Sequence, residues 1–126
     1  MSLLLDTGAL IALERNDRAM WRRLKSSLLA SDIPITHGGV VGQAWRGQGA
    51  RSARLASAIA GLDVRALDES LGKRCGELLG RAKKSDVIDA ALILLSSDGD
   101  TIATSDPDDL KILALRAGLV IELLTV

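Results

Sequence analysis

Short apolar runs alternate with longer amphipathic stretches along this chain of 126 residues. Residues 2–6 are mainly leucine and predict a short buried strand, whereas residues 7–15 favour a helix. Ile33-Pro34-Ile35 predicts a short edge strand, because proline is tolerated at the edge of a sheet. Apolar runs of this length, bounded by turn residues, are typical of strands. Three later runs predict further strands, at residues 64–67, 101–104 and 119–124.

Apolar residues at helical spacing fill the segments between these strands. Asp17 can cap a helix through about Leu29, in which Trp21, Leu24 and Leu28 recur on one side. Five further helices are predicted. The first starts at Thr36 or His37, and the second covers 51–60 and stops at Gly61. The third follows Asp68 through about Arg81, the fourth follows Ser85 through Leu95, and the last follows Ser105 or Asp106 and runs from Pro107 to Gly118.

The alternation of strands and helices predicts an α/β fold with three α/β/α layers around a central, mostly parallel sheet. No internal repeat, linker or low-complexity tract interrupts the chain, so we expect residues 1–126 to form a single domain. The sequence contains no Phe or Tyr. We therefore expect aliphatic side chains to fill the core, with Trp21 and Trp45 as the only large rings.

Acidic and basic residues are balanced at 16 each, so net charge does not indicate nucleic-acid binding. Basic residues still lie close together in two places, which are either local binding patches or solvated helix faces. These are Arg15, Arg18, Arg22, Arg23 and Lys25, and then Arg46, Arg51 and Arg54. Cys75 is alone, which excludes an intramolecular disulfide and argues against a thiolate zinc site. No signal peptide or membrane-spanning run is evident, so a cytoplasmic protein is expected.

Aspartates stand at the ends of the apolar segments. Asp6 ends the first strand, Asp86 and Asp89 open a helix, and Asp106 and Asp109 follow the strand at 101–104. Ligands of open parallel sheets bind beyond the carboxyl ends of the strands, where these side chains would meet. Like charges at close range need a cation, and oxygen ligands suit magnesium or manganese. The pattern thus predicts metal-assisted phosphodiester hydrolysis.

Each of these aspartates also has a structural explanation. Acidic residues at the start of a helix cap it and interact with its dipole, which would account for Asp86, Asp89 and Asp106. Asp6 is harder to explain in this way, because a carboxylate against a buried strand is costly without a partner. His37 is the only histidine. It cannot build a histidine-rich metal site and is expected to be a surface or capping residue.

Three segments resemble the motifs of PIN domains, in the same order and over nearly the whole chain. They are Leu3 to Leu13, Asp86 to Ala91, and Ile102 to Leu110. The resemblance implies a PIN-like fold and a magnesium- or manganese-dependent endoribonuclease that acts on RNA. Small PIN domains are typically toxins of VapBC-type toxin–antitoxin pairs, so it also implies inhibition by a small antitoxin and a homodimer.

The same resemblance implies roles for particular residues. Asp6, Asp89 and Asp106 would be metal ligands, and Thr104 would orient the site through its hydroxyl. Asp109 matches an acid of some members, and Asp86 is an accessory candidate on the helix face of Asp89. Gln43 stands where the family usually has glutamate. Arg15 and Arg46 are candidates for holding flanking phosphates.

Gln43 leaves a second function open. A glutamine carbonyl can bind a metal but adds no negative charge and cannot act as a base, so the domain could be a catalytically weakened binding module. If the site instead keeps its metal affinity, Asp86 is the candidate that compensates for the missing charge. An unrelated α/β phosphatase or phosphotransfer domain ranks third. A phospho-acceptor site would need a lysine at a late strand, and Lys111 lies in a predicted helix instead.

Overall fold

The computed structural model describes residues 1–126, and its five strands form one sheet. The strands are β1 Leu3–Leu5, β2 Ile35–His37, β3 Asp63–Arg65, β4 Thr101–Thr104 and β5 Glu122–Thr125. Their order across the sheet is β3-β2-β1-β4-β5, and all four neighbouring pairs are parallel. The predicted α/β class is confirmed, with a sheet that is wholly rather than mostly parallel.

Seven helices connect the strands. They are α1 Thr7–Glu14, α2 Arg18–Leu29, α3 Gly38–Ala44, α4 Gly49–Ile59, α5 Glu69–Ala82, α6 Val87–Leu95 and α7 Pro107–Ala117. Helix α1 contacts α2, α3 and α4, whereas α5, α6 and α7 contact one another. The chain crosses the sheet in one direction from β1 to β3 and in the other from β3 to β5. Right-handed crossovers therefore place the two helix groups on opposite faces, which gives three layers.

Aliphatic side chains fill the core, as expected. Leu4, Leu5 and Ile102 of the central strands are fully buried, and Leu92 and Ile93 of α6 pack into the same cluster. Trp21 is half-buried at the margin of this cluster, and Trp45 is 39% exposed. Neither ring therefore occupies the centre of the core. No helix in the chain combines the length and the apolarity needed to cross a lipid bilayer.

The prediction for the second strand was wrong in its residue range and in its location within the sheet. Strand β2 begins at Ile35 and pairs with both β1 and β3, so it lies inside the sheet rather than at an edge. Pro34 precedes the ladder, where its missing N–H is not needed, and its carbonyl accepts a bond from the N–H of Asp63 at 2.8 Å. As a result, Thr36 and His37 belong to the strand, and α3 begins at Gly38 rather than at either of them.

Smaller differences concern element ends. Strands β3 and β5 are shorter than the predicted 64–67 and 119–124. Asp86, rather than Ser85, is the N-cap of α6. Helix α7 begins at Pro107 and ends at Gly118 as predicted, and Gly118 adopts the left-handed conformation at φ 71°.

Candidate active site

The order of strands reverses between β1 and β4, and polar residues stand at or just beyond the carboxyl end of both strands. Asp6 follows β1 directly, and its N–H donates to the carbonyl of Ala103 in β4 at 3.1 Å. Thr104 is the last residue of β4, and Asp106 lies two residues beyond it. This point at the carboxyl edge is where open parallel sheets form binding crevices. The structure therefore brings Asp6, Thr104 and Asp106 to one place.

Asp6 is buried, with 9% of its surface exposed, and caps helix α1. Its Oδ1 accepts a bond from the N–H of Ala9 at 2.9 Å. Burial raises the pKa of the Asp6 carboxyl, and bonds from the Thr104 hydroxyl and from nearby N–H groups offset part of that rise. Asp6 thus combines the structural role of a cap with a carboxylate held at the edge of the sheet.

Asp86 and Asp89 occupy the start of α6. Asp86 is the N-cap, and its Oδ1 accepts bonds from Ile88 N at 2.9 Å and Asp89 N at 3.2 Å. Asp89 lies in the first turn and is half-buried. Burial, followed by the charges of Asp86, Asp6, Asp109 and Asp106 in that order, raises the pKa of Asp89 to about 6. The other four predicted aspartates therefore all lie within electrostatic reach of Asp89.

Asp109 lies in the first turn of α7 and has a cation beside it. Lys84 Nζ donates to Asp109 Oδ1 at 2.9 Å, in a pair that is partly exposed. The two residues line a groove of about 380 Å³ together with Lys83, Ser85, Asp86, Asp89 and Leu113. The predicted acidic cluster accordingly contains a lysine of its own, which joins the α5–α6 loop to α7.

Asp106 occupies the N-cap position of α7, yet its side chain makes no capping bond. Its backbone N–H instead donates to Thr104 Oγ1 at 2.9 Å. The structural explanation by capping thus applies to the side chains of Asp6 and Asp86 but not to that of Asp106. Thr104 is fully buried and contacts both neighbouring aspartates, through the Asp6 carboxyl and the Asp106 N–H.

Gln43 lies in α3 on the same side of the sheet as α1. Its Oε1 accepts a hydrogen bond from the hydroxyl of Thr7, the residue after Asp6. The amide is exposed and therefore sits at the rim of the crevice. Arg46 nearby bonds to the carbonyls of Gly42 and Trp45 at the end of α3, which directs its guanidinium toward its own helix.

His37 was expected to be a surface or capping residue, and it has the capping role at a completely buried position. Its Nδ1 accepts from the Gly39 N–H at 3.1 Å, which confirms capping of α3. Its Nε2 lies 2.9 Å from the carbonyl of Ile88 and must donate there, because a carbonyl only accepts. Burial lowers the pKa of His37, in keeping with this neutral tautomer. The ring thereby ties β2 and α3 to the first turn of α6.

Gly8 marks a close approach between α1 and the loop after β4. A methyl group at Gly8 would lie 2.2 Å from Ser105 Oγ and 2.5 Å from Ser105 Cβ. Glycine is therefore required where the helix that follows Asp6 meets the segment that carries Asp106. The two metal-ligand candidates are held side by side through this contact.

The donor set suits a hard divalent cation. It consists of carboxylate, hydroxyl and amide oxygens, and both nitrogens of the only histidine are occupied. Burial, and after it the charges of the neighbouring aspartates, raise the pKa of Asp89, and a bound cation would favour its ionised form. No three acidic, histidine or cysteine side chains are arranged so that they could hold an ion as they stand. The donor types fit the ion chemically, although three of them do not converge on one point.

No model of a known protein family matches the chain, and no curated protein matches its sequence. Among solved structures, it is similar to a chain in the crystal structure of VapBC2 from Rickettsia felis bound to a DNA fragment from their promoter. The likeness covers 98% of both chains with a TM-score of 0.70, at 16% sequence identity. At this identity the likeness concerns the fold. Together with the parallel sheet and its layers, it shows that the chain has the three-layer α/β/α fold of PIN domains.

Proposed function

We propose that this protein is a metal-dependent endoribonuclease and the toxin of a toxin–antitoxin pair. The observation that carries the proposal is Asp89, whose pKa is raised to about 6 by burial and by four other aspartates at the strand-order reversal. Strongly perturbed carboxyls in a crevice are typical of sites that carry out chemistry. The fold shared with a chain of a VapBC2 complex supports the toxin role in this proposal.

Asp6, Asp89 and Asp106 would hold a magnesium or manganese ion, and Asp86 and Asp109 would add negative charge around it. When bound, the ion would polarise the phosphate, activate the attacking water and stabilise the leaving oxygen. Thr104 would keep the Asp6 carboxyl and the Asp106 backbone in place through its hydroxyl. Gln43 would contribute an oxygen at the rim, held by Thr7.

The partners follow from the proposed function. The substrate would be RNA with exposed single-stranded segments, whose phosphates basic side chains at the rim hold without reading sequence. A small antitoxin would inhibit the enzyme, and the toxin would form a homodimer in the cytoplasm. The similar chain comes from a VapBC2 complex, which supports the antitoxin as a partner.

RNA cleavage by the purified protein tests this proposal. We expect a pool of single-stranded RNA to be cut with manganese or magnesium and to stay intact with chelator. Asp89→Asn should lower the rate about a hundredfold or more, because even residues outside the ligand shell of a metal are worth 10–100-fold. Asp108→Asn is the matched control, since Asp108 lies on the exposed side of α7's first turn.

A catalytically weakened binding module is the second candidate. It is favoured by Gln43 and by the absence of three converging carboxylates. Folded wild-type protein that cuts no RNA with either ion would support it and would contradict the ribonuclease. Gln43→Glu then separates the two further, because restored cleavage would show that the missing carboxylate alone limits the activity.

A further inference from the structure

A large groove lies between α2 and α4, away from the carboxylates. It encloses about 710 Å³ and is lined by Asn16, Arg18, Trp21, Arg22, Lys25 and Ser57. We refer to these six residues as the α2 groove. Three of the six are cations and none is acidic, so the groove favours an anionic ligand.

The positive charge of the α2 groove is organised by the helix. Arg18, Arg22 and Lys25 follow one another at i, i+4 and i+7, which places them on one face of α2. None of them takes part in an ion pair; the three in the structure are Arg65–Asp63, Lys73–Glu69 and Lys84–Asp109. Helix α2 contains no acidic residue at all. In a chain of zero net charge this is a local excess that the protein does not neutralise itself.

The other lining residues suit a nucleic-acid strand better than an acidic peptide. Asn16 and Ser57 supply the neutral hydrogen-bonding groups that commonly contact phosphate and sugar. Trp21 is fixed by its Nε1–H, which donates to the Leu13 carbonyl at 3.0 Å, and is the only apolar residue of the groove. Bases stack on aromatic side chains regardless of sequence. A peptide would need further apolar pockets for its side chains, and the α2 groove offers none.

The α2 groove lies within reach of the candidate active site along α1. Asp6 precedes this helix and Asn16 follows it, and its 8 residues span about 12 Å. Arg15, at the end of α1, lines a second groove with Gly8 and Ser105, which borders the Asp6 end. An RNA strand could therefore run from one site to the other past Arg15 and Asp17, which both line this second groove, while the excess of cations lies in the α2 groove itself.

We propose that the α2 groove binds the phosphate backbone of single-stranded RNA without reading its sequence. The identification of RNA as the ligand rests on the proposed ribonuclease function. The groove would hold the strand beside the cleavage position, while the aspartates act on one phosphate. Three phosphate contacts to a single strand would give log affinity a dependence on log salt of about −2, at roughly −0.7 per contact.

Binding of fluorescein-labelled poly-uridylate, followed by anisotropy in chelator at several salt concentrations, tests the proposal. The Arg18→Ala/Arg22→Ala/Lys25→Ala variant should bind at least tenfold more weakly at low salt and lose about 2 from the salt slope. A Lys73→Ala/Arg74→Ala/Lys111→Ala variant removes the same charge from exposed sites on α5 and α7 and should keep most of the affinity. Circular dichroism would establish that both variants fold.

Tryptophan emission gives a second readout. Trp45→Phe leaves Trp21 as the only tryptophan, and RNA should quench its emission unless Arg18, Arg22 and Lys25 are replaced. Equal binding by the two triple variants, or absence of quenching, would overturn the proposal. Competition by poly-L-glutamate as strong as that by unlabelled poly-uridylate would instead identify an acidic peptide site. Binding is measured here without a divalent ion and therefore does not depend on cleavage. RNA that binds the α2 groove in chelator but stays uncut in the separate assay with manganese or magnesium would contradict the ribonuclease and not the groove.

Discussion

Asp89 is the residue whose environment is most unfavourable to its charge. The unfolded chain releases the Asp89 proton near pH 3.8, whereas the folded protein holds it up to about pH 6. The free energy of unfolding should therefore fall as pH rises from about 4 to about 6. A difference of about 2 between the folded and unfolded pKa of Asp89 lowers the free energy of unfolding by at most about 3 kcal/mol.

Asp89→Asn should accordingly stabilise the metal-free protein by about 1–3 kcal/mol at pH 7 and leave it unchanged below pH 4. Urea unfolding at both pH values, in chelator, measures the difference. Asp108→Asn is the control, and we expect it to follow the wild type. Equal stability of Asp89→Asn and wild type at pH 7 would show that burial and neighbouring charge do not destabilise the ionised form of Asp89.

Gly8 limits the site by its size. Alanine at this position would force Ser105 and the loop that carries Asp106 to move, so Gly8→Ala should destabilise by about 1–3 kcal/mol. Adding Ser105→Gly removes the two closest atoms and should restore part of the loss. Gly42→Ala is the control, because nothing lies within 4 Å of its added methyl and helical alanine is favoured. Thermal unfolding of the variants measures these differences in stability. A Gly8→Ala variant as stable as the wild type would contradict the close approach of α1 to Ser105.

At the scale of elements, His37 joins two helices that carry candidate site residues. His37→Ala loses the bonds to Gly39 N and Ile88 O and should destabilise by about 1–3 kcal/mol. His37→Asn keeps a side-chain acceptor suited to a helix cap and should lose less. Chemical denaturation of both variants measures this order. If both were as stable as the wild type, the link between α3 and α6 would be energetically unimportant.

The sequence predicted the elements because each follows a local rule, such as the apolar run of β4 or the glycine that ends α7. It also predicted that Asp6 and Asp106 would meet, because both follow parallel strands. The interior position of β2 was missed because the predicted strand includes Pro34, and a proline within a strand indicates an edge. In the structure Pro34 precedes the strand and therefore does not limit its pairing. His37 and Lys84 were missed because their partners, Ile88 O and Asp109, lie 51 and 25 residues away. Such pairings appear only when the chain is folded.

For the whole molecule, zero net charge conceals a separation of charges. Five aspartates surround the strand-order reversal, whereas the cations of α2 have no acidic residue in their helix. Under the proposed function, this separation would give one neutral chain a site for cations and a surface for anions. Both are what a protein needs to hold a metal ion and an RNA strand together.

Manganese titration of metal-free protein by isothermal calorimetry tests the central claim, that the aspartates form one cation-dependent centre. We predict that the wild type binds Mn²⁺, that Asp89→Asn weakens binding at least about tenfold while Asp108→Asn does not, and that Gln43→Glu strengthens it. Indistinguishable binding by Asp89→Asn and Asp108→Asn, or no binding by the wild type, would contradict the account.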